Sequence, residues 1–386
     1  MIPLLKASSF YPKYLTWFYR ANPALATASY AQQHKALMED RFGFSDSWRR
    51  YLSQGSNRFD VTELVVNAEP LQKQWAKENS VSYREASWLQ DIFFAQFMQS
   101  SPKILFAHAP EIDPRLRQRC KTEATCSPAI ITYDGIGRHT SKVYDQADLV
   151  LTCLRESCHF YRSKGVASHW MMFGFDPAVL SQIDRSVPTS PVSFIGGMEL
   201  RIGHQERAIL LAEVSRQIGL ETWINALPDD LTLLRLWASF ARHRDWKAFA
   251  RFPKAAISAR RLRGQNHGEL YGVRMLSRLA ASGISLNVHI AAAGNQAANI
   301  RLFEATGVGS CLVTDWKDNI PEIFEPDREV VVFRSPAEAI EKIRYLLTHD
   351  DERRQIAERG QKRTLAAHHY ADRLRELSPL LLELVT

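Results

Sequence analysis

Short apolar runs alternate with helical patterns along most of this chain, and the alternation begins twice. KILFAHAP (103–110), PAIITYDGIG (128–137), ADLVLTC (147–153) and SHWMMFGF (168–175) read as strands, with helical stretches such as EIDPRLRQRCKTE and RESCHFYRSKG between them. Strands separated by helices need crossover connections, so they predict a parallel sheet covered on both faces. DRSVPTSP (184–191) then concentrates Pro, Ser and Thr as a linker would. Beyond it the pattern restarts with strand PVSFIGG, helix QERAILLAEVSRQIG, strand ETWIN, a long polar and basic middle, and strands GISLNVHI, SCLVTD and EVVVF before closing helices. A chain of 386 residues exceeds one ordinary core. The expectation is therefore two α/β domains, 1–186 (with a C-terminal helix at about 366–386 packing back on it) and 187–365, facing a central cleft. Open sheets of this kind bind ligands at the carboxyl ends of their strands.

The N-terminal MIPLLKASSFYPKYL is too short in apolar length and too poorly flanked for a secretory signal, and it reads as a first buried strand. Residues 11–55 look helical and aromatic-rich, with a third helix, SDSWRRYLSQG, capped by Ser45 or Asp46 and ended by Gly55. FDVTELVVN alternates as a strand, and EPLQKQWAKENS and SYREASWLQDIFFAQFMQ follow as amphipathic helices. No run of about 18 apolar residues exists to cross a membrane. Five cysteines make no disulfide framework in a chain this long. Cys153, Cys158 and His159, with Cys120 and Cys126, lack zinc-ribbon spacing, so buried free thiols in a reducing cytoplasm are expected. A formal charge of +7 favours acidic partners: nucleotide diphosphates, anionic lipid headgroups or nucleic acid. The densest basic run, RFPKAAISARRLRG, reads as a solvated loop or a phosphate- or membrane-facing one, and no nucleic-acid-binding module accompanies it.

The segment Asn287–Asp315, NVHIAAAGNQAANIRLFEATGVGSCLVTD, reads as strand, small-residue loop, short helix, glycine stop and strand. A helix N-terminus opening on such a loop offers unpaired N–H groups to a phosphate, and Glu304 farther along can bind a pair of sugar hydroxyls. In the first half, His108 ends KILFAH and Asp134 ends PAIITYD, with Gly135, Gly137 and His139 behind it. Polar residues at strand ends are where substrates sit in this architecture. His289 reads as packed inside a strand, and His368 and His369 as surface or interdomain residues.

NIRLFEATGVGSCLVTD, followed by IPEIFEPDREVVVFRSPAEAIEKIRYLLTHDDERRQIAERGQKRTLAAHHYADRLREL, resembles the C-terminal half of GT-B glycosyltransferases. The nearest group is the CgeB-like enzymes, relatives of the family-four (group 1) retaining transferases of bacterial envelope polysaccharides. The resemblance extends through GELYGVRMLSRLAASGISLNVHI and VSFIGGMELRIGHQERAILL, and more loosely through FYPKYLTWFY and NAEPLQKQWAKENS. It implies a GT-B fold of two Rossmann-like domains and transfer of a sugar from a nucleotide-diphosphate donor, typically UDP-linked, to a hydroxyl. Family-four enzymes carry a Glu-x7-Glu pair. Glu304 matches its second, ribose-binding position, whereas Gln296 stands at the first, where an amide can bond a hydroxyl but cannot ionise.

The resemblance also implies a phosphate site after Gly196 and Gly197 with Arg201 or Arg207, and backbone N–H groups around Asn295, Ala298 and Asn299. It places the base near Tyr271 and Gly272, and acceptor binding or base chemistry at His108 and Asp134. No cofactor or metal is expected, since no Asp-x-Asp follows a strand. Retention is favoured, with a saccharide or lipid-linked saccharide as acceptor, and with peripheral contact to an anionic inner-membrane surface but none with nucleic acid. A nucleotide-sugar epimerase of the same fold and a non-catalytic sugar-nucleotide-binding protein are the alternatives.

Overall fold

The computed structural model describes residues 1–53, 58–135, 137, 139–201 and 203–385; Gly55, expected to end a helix, lies outside them. The chain divides into two compact units, Met1–Asp176 with Tyr370–Thr386, and Pro177–His369. The division falls after Asp176, ahead of the Pro/Ser/Thr segment, because Pro177–Ser181 already forms a turn belonging to the second unit.

Among the described residues the first unit holds six strands: β1 (Ile2–Ser8), β2 (Phe59–Val65), β3 (Ile104–His108), β4 (Ala129–Asp134), β5 (Leu149–Thr152) and β6 (Ala167–Trp170). They form one sheet in the order β2-β1-β3-β4-β5-β6, and every pairing is parallel. Side chains alternate across the pleat. Leu4, Ile104, Phe106 and Ile131 enter one core with Trp48, Leu374 and Leu377, the last two from helix Tyr370–Glu383. Leu5, Leu105 and Ile130 enter the other with Phe93 and Phe97 of helix Trp88–Ser100. Tyr14 and Phe18 of helix Pro12–Ala21 are buried, and Tyr14 stacks on Phe42 with ring centroids 4.0 Å apart.

Two expectations here are corrected. SHWMMFGF is strand only as far as Trp170. SDSWRRYLSQG is helical over 47–53, but not as the expected capped α-helix: Ser45 takes a left-handed φ of +43°, and Arg49–Ser53 is a π-helix. A buried ion pair lies against this segment. Lys6 on β1 and Glu63 on β2 sit opposite each other in the register, each 2% exposed, with Nζ 2.6 Å from Oε2. Lys6 also donates to the Ser45 carbonyl (2.7 Å), and Arg49 N–H donates to Glu63 Oε1 (2.8 Å). Asp46, expected as a cap, instead accepts from Arg41 and Arg50. The segment's backbone closes over the ion pair, and Arg50 N–H donates to the Asp46 carbonyl at 3.0 Å as the helix begins.

The second unit contains β7 (Ser190–Gly197), β8 (Glu221–Asn225), β9 (Ser282–Asn287), β10 (Cys311–Asp315) and β11 (Val331–Phe333), again all parallel, in the order β11-β10-β9-β7-β8. Gly309, at φ +86°, stops the short helix Arg301–Gly307 before β10, as the sequence pattern expected. The basic middle is not a loop. It folds as helices Asp230–Arg242 and Trp246–Arg263, whose first turns are capped by the carboxylates of Asp229 and Asp245. Pro253 lies inside the second helix and cannot bond the Phe249 carbonyl; Trp237 Nε1 takes that acceptor at 3.2 Å. His368, expected as a surface or interdomain residue, is buried against Phe303 and Phe324, with Nε2 2.9 Å from the Ile323 carbonyl.

Removing Lys6 alone leaves Glu63 buried without its counter-ion, so Lys6→Ala is expected to cost about 3–5 kcal/mol of stability. The joint change Lys6→Met with Glu63→Leu should cost far less. Denaturant titration of the three proteins measures the difference, and equal losses would remove the ion pair as its source.

Candidate functional site

In the second unit, β7 ends at Gly196 and Gly197, and a Cβ on Gly197 would meet nothing within 4 Å, so backbone there is open to close approach. Arg207, on helix Gln205–Gln217, reaches back to this edge. Its Nη1 donates to the Gly197 carbonyl at 2.8 Å and Nη2 to the Val288 carbonyl at 2.5 Å, while Nε has no partner. Burial lowers the guanidinium to about 10, with Asp315 acting in the opposite sense, and it remains a cation at neutral pH. Burial and that charge drive His204 down to about 3, so its ring is neutral, and Nδ1 accepts from Glu199 N–H at 2.8 Å. Arg201 is exposed.

The ends of β9 and β10 add a second polar group. His289 donates its backbone N–H to Asp315 Oδ1 at 2.8 Å and holds Nδ1 2.7 Å from the same oxygen. Nδ1–H facing a carboxylate fixes the tautomer and leaves Nε2, which is buried and has no partner. Burial raises the Asp315 carboxyl, but the bonds and charge from His289 outweigh it and hold the group below the ordinary carboxylate range. Asn287 donates to Thr314 Oγ1 and accepts from Asn299 Nδ2 at 2.7 Å, leaving Asn299 Oδ1 buried and unpartnered. His289, expected to be merely packed, is therefore oriented by a carboxylate.

The loop leading to helix Arg301–Gly307 is braced from the β10 side. Asn319 bonds both the N–H and the carbonyl of Ala297 (2.7 and 3.0 Å), Lys317 bonds the Gly294 carbonyl, and Asp318 accepts from Asn295 Nδ2. Gln296 N–H donates to Ala293. The N–H groups of Gln296 and Ala297 thus serve the loop itself, and the helix begins only at Arg301. Ala298 is buried, Asn295 is exposed, and Gln296 and Asn299 are half-buried. Glu304 is buried with Oε2 2.7 Å from Arg301 Nη1, an ion pair not aligned as a hydrogen bond, so that oxygen has no hydrogen-bond donor. Burial raises its pKa against the pull of Arg301. Tyr271 is buried directly ahead of helix Gly272–Ala280.

In the first unit, His108 and Asp134 close the neighbouring strands β3 and β4. The His108 ring stacks on Phe106 and meets Phe44 and Tyr133 edge-on. Burial and the Lys6 charge lower it to about 4, so it is neutral at pH 7. Asp134 is buried and accepts from the Tyr161 hydroxyl at 2.5 Å. His139 behind it rests on Phe160 and bonds Ser157.

At the carboxyl edge of the second sheet, then, lie a buried cation, two glycines, an oriented imidazole and a buried carboxylate. Side-chain atoms of Arg207, His289, Asn299 and Glu304 are left there without hydrogen-bond partners. Residues 216–378, which include His289, Asn299, Glu304 and Asp315 but not Gly196, Gly197 or Arg207, match the family model described as glycosyl transferase-like. No protein of curated function matches the sequence. Among solved structures, the chain is similar to a sucrose-phosphate synthase from Thermosynechococcus elongatus (10% identity, 100% of this chain and 99% of that one, TM-score 0.58). It is also similar to Anabaena Alr3699/HepE in complex with UDP-glucose (10%, 99% and 100%, 0.57) and to AviGT4, a glycosyltransferase of avilamycin A biosynthesis (12%, 100% and 98%, 0.53). The fold is GT-B. Residues 216–378 are in addition glycosyl transferase-like in sequence.

The lowered His108 implies a pH dependence. Its unfolded form binds a proton below about 6.5 and its folded form only near 4, so stability is full above the first value and is lost as pH falls toward the second. His108→Phe is expected to flatten the fall in thermal midpoint between those pH values. An unchanged slope would show that His108 does not carry it.

Proposed function

We propose that this protein transfers a sugar from a UDP-sugar or related nucleotide-diphosphate sugar to a hydroxyl of a saccharide or lipid-linked saccharide in envelope glycoconjugate synthesis. The reading further takes the transfer to be metal-independent, with retention at the anomeric carbon, and to take place where the protein touches an anionic membrane surface. The observation that carries the donor assignment is the set of buried polar atoms without partners at the carboxyl edge of the second sheet. Buried polar groups are normally satisfied, and such a cluster calls for a polar ligand.

Each residue has a role in this reading. Arg207 supplies a fixed positive charge beside the open backbone of Gly197, where the diphosphate would gather negative charge as its bond to the sugar breaks. Glu304 Oε2, beside Arg301 Nη1, is an acceptor for ribose hydroxyls, and Tyr271 borders the base. Gln296 bonds the donor sugar as an amide. His289, with Nδ1 committed to Asp315, meets a phosphate or sugar hydroxyl through Nε2. His108, neutral among aromatic rings, and Asp134, anchored by Tyr161, bind the acceptor hydroxyl.

Thermal-shift screening against nucleotide sugars identifies the donor, and transfer to lipid extracts tests the reaction. Glu304→Ala should weaken binding of the nucleotide diphosphate by about 1.5–3 kcal/mol, roughly ten- to a hundredfold. Calorimetry showing undiminished affinity would remove Glu304 from the ribose. Arg207→Lys keeps the charge but not the paired carbonyl bonds. It should weaken the diphosphate more than the free nucleoside, and equal losses for the two ligands would place Arg207 away from phosphate.

A further inference from the structure

The chain's charge is concentrated in one place. Residues 228–264 hold nine Lys and Arg against three Asp, a local +6 within a chain of +7. They form the helices Asp230–Arg242 and Trp246–Arg263, joined face to face by Trp237 stacked on Phe249 at 5.0 Å. The inner faces are ordinary core: Leu233 and Phe240 from one helix, Phe252, Ala255, Ala259 and Leu262 from the other.

The outer faces are not ordinary. Leu231 (56%), Leu234 (61%), Trp246 (62%) and Ile257 (53%) are widely exposed. With Trp237 they make five of the nine large apolar side chains exposed among the described residues. On the second helix Trp246, Ala250, Pro253 and Ile257 fall at i, i+4, i+7 and i+11, a single outward stripe. Lys247, Lys254 and Arg261 flank it, and on the first helix Arg235 and Arg242 share the outer face with Leu231 and Leu234. Asp230 pairs with Arg260 and Arg263, and Glu206 with Arg251. Among the described residues the five flanking cations have no ion-pair partner.

We infer that this helical pair is a membrane-docking surface, lying in the interface of a bilayer that contains anionic lipid. It adds a location to the membrane contact proposed above and rests on that part of the reading. The charge complements acidic headgroups, while exposed Leu, Trp and Ile between the cations match the boundary between headgroup and acyl chain. A nucleic-acid backbone would satisfy the cations but leave the apolar stripe in water. Neither helix, nor any other among the described residues, is long and apolar enough to cross the membrane, so the pair lies on the surface.

The test is co-sedimentation of the full chain with vesicles of phosphatidylcholine alone or mixed with phosphatidylglycerol. Binding is expected only to the mixed vesicles and should weaken as salt is raised. The triple variant K247E/K254E/R261E should lose roughly a hundredfold or more in vesicle affinity. L231Q/L234Q should weaken binding while leaving its salt dependence intact. Both variants should bind UDP as the parent does. Equal vesicle binding by parent and variants would overturn the assignment, as would preference for an oligonucleotide or self-association through these side chains. UDP binding without vesicle binding would sink this inference alone, whereas vesicle binding without UDP binding would sink the donor reading and leave the surface standing.

Discussion

The contact of Arg207 with the carbonyls of Gly197 and Val288 sets the character of the second unit's carboxyl edge. Parallel strands all finish on one side of the sheet, so their last carbonyls need partners from outside the ladder. A single buried guanidinium supplies two of them and holds the ends of β7 and β9 in place. Its charge adds to what burial does to His204, whose ring stays neutral, while the bonds from His289 hold Asp315 below the ordinary carboxylate range.

The first unit repeats the device with different parts. Lys6, buried between β1 and the Ser45 turn, has Glu63 as its counter-ion, yet its field still reaches His108 at the end of β3. In both units burial, with a buried cation adding to it, keeps an imidazole neutral. A neutral imidazole can exchange hydrogen bonds with hydroxyls without adding charge, and that suits sugar chemistry at either edge.

Strand–helix alternation, the restart after the Pro/Ser/Thr segment and the glycine stop before β10 were legible because each is a local pattern with a local physical cause. Arg207 was legible only as a family position and Glu304 as a lone acid on the helix after a small-residue loop, and the burial of neither was. In the segment 45–53 the helix was legible but not its π form or its contacts with Lys6 and Glu63, whose pairing depends on strand register and not on neighbouring sequence. The basic stretch was misread for a similar reason. Pro253 and dense charge argue against a helix, and only tertiary contacts, with Trp237 capping the Phe249 carbonyl, make one. His289 was passed over because its carboxylate partner lies 26 positions away, across two strands.

The chain's cations therefore fall into two physically different sets. Arg207 and Lys6 are buried and engaged by oxygen acceptors at hydrogen-bond distance, so they act over a few ångströms and order the groups they touch. The cations on the helices of 230–263 are exposed, and their attraction acts over a Debye length and fades in salt. Net charge, read from the sequence, reports almost wholly on the second set. The positive total that points toward acidic partners says little about the carboxyl edge of the second sheet and much about the outer face of two helices.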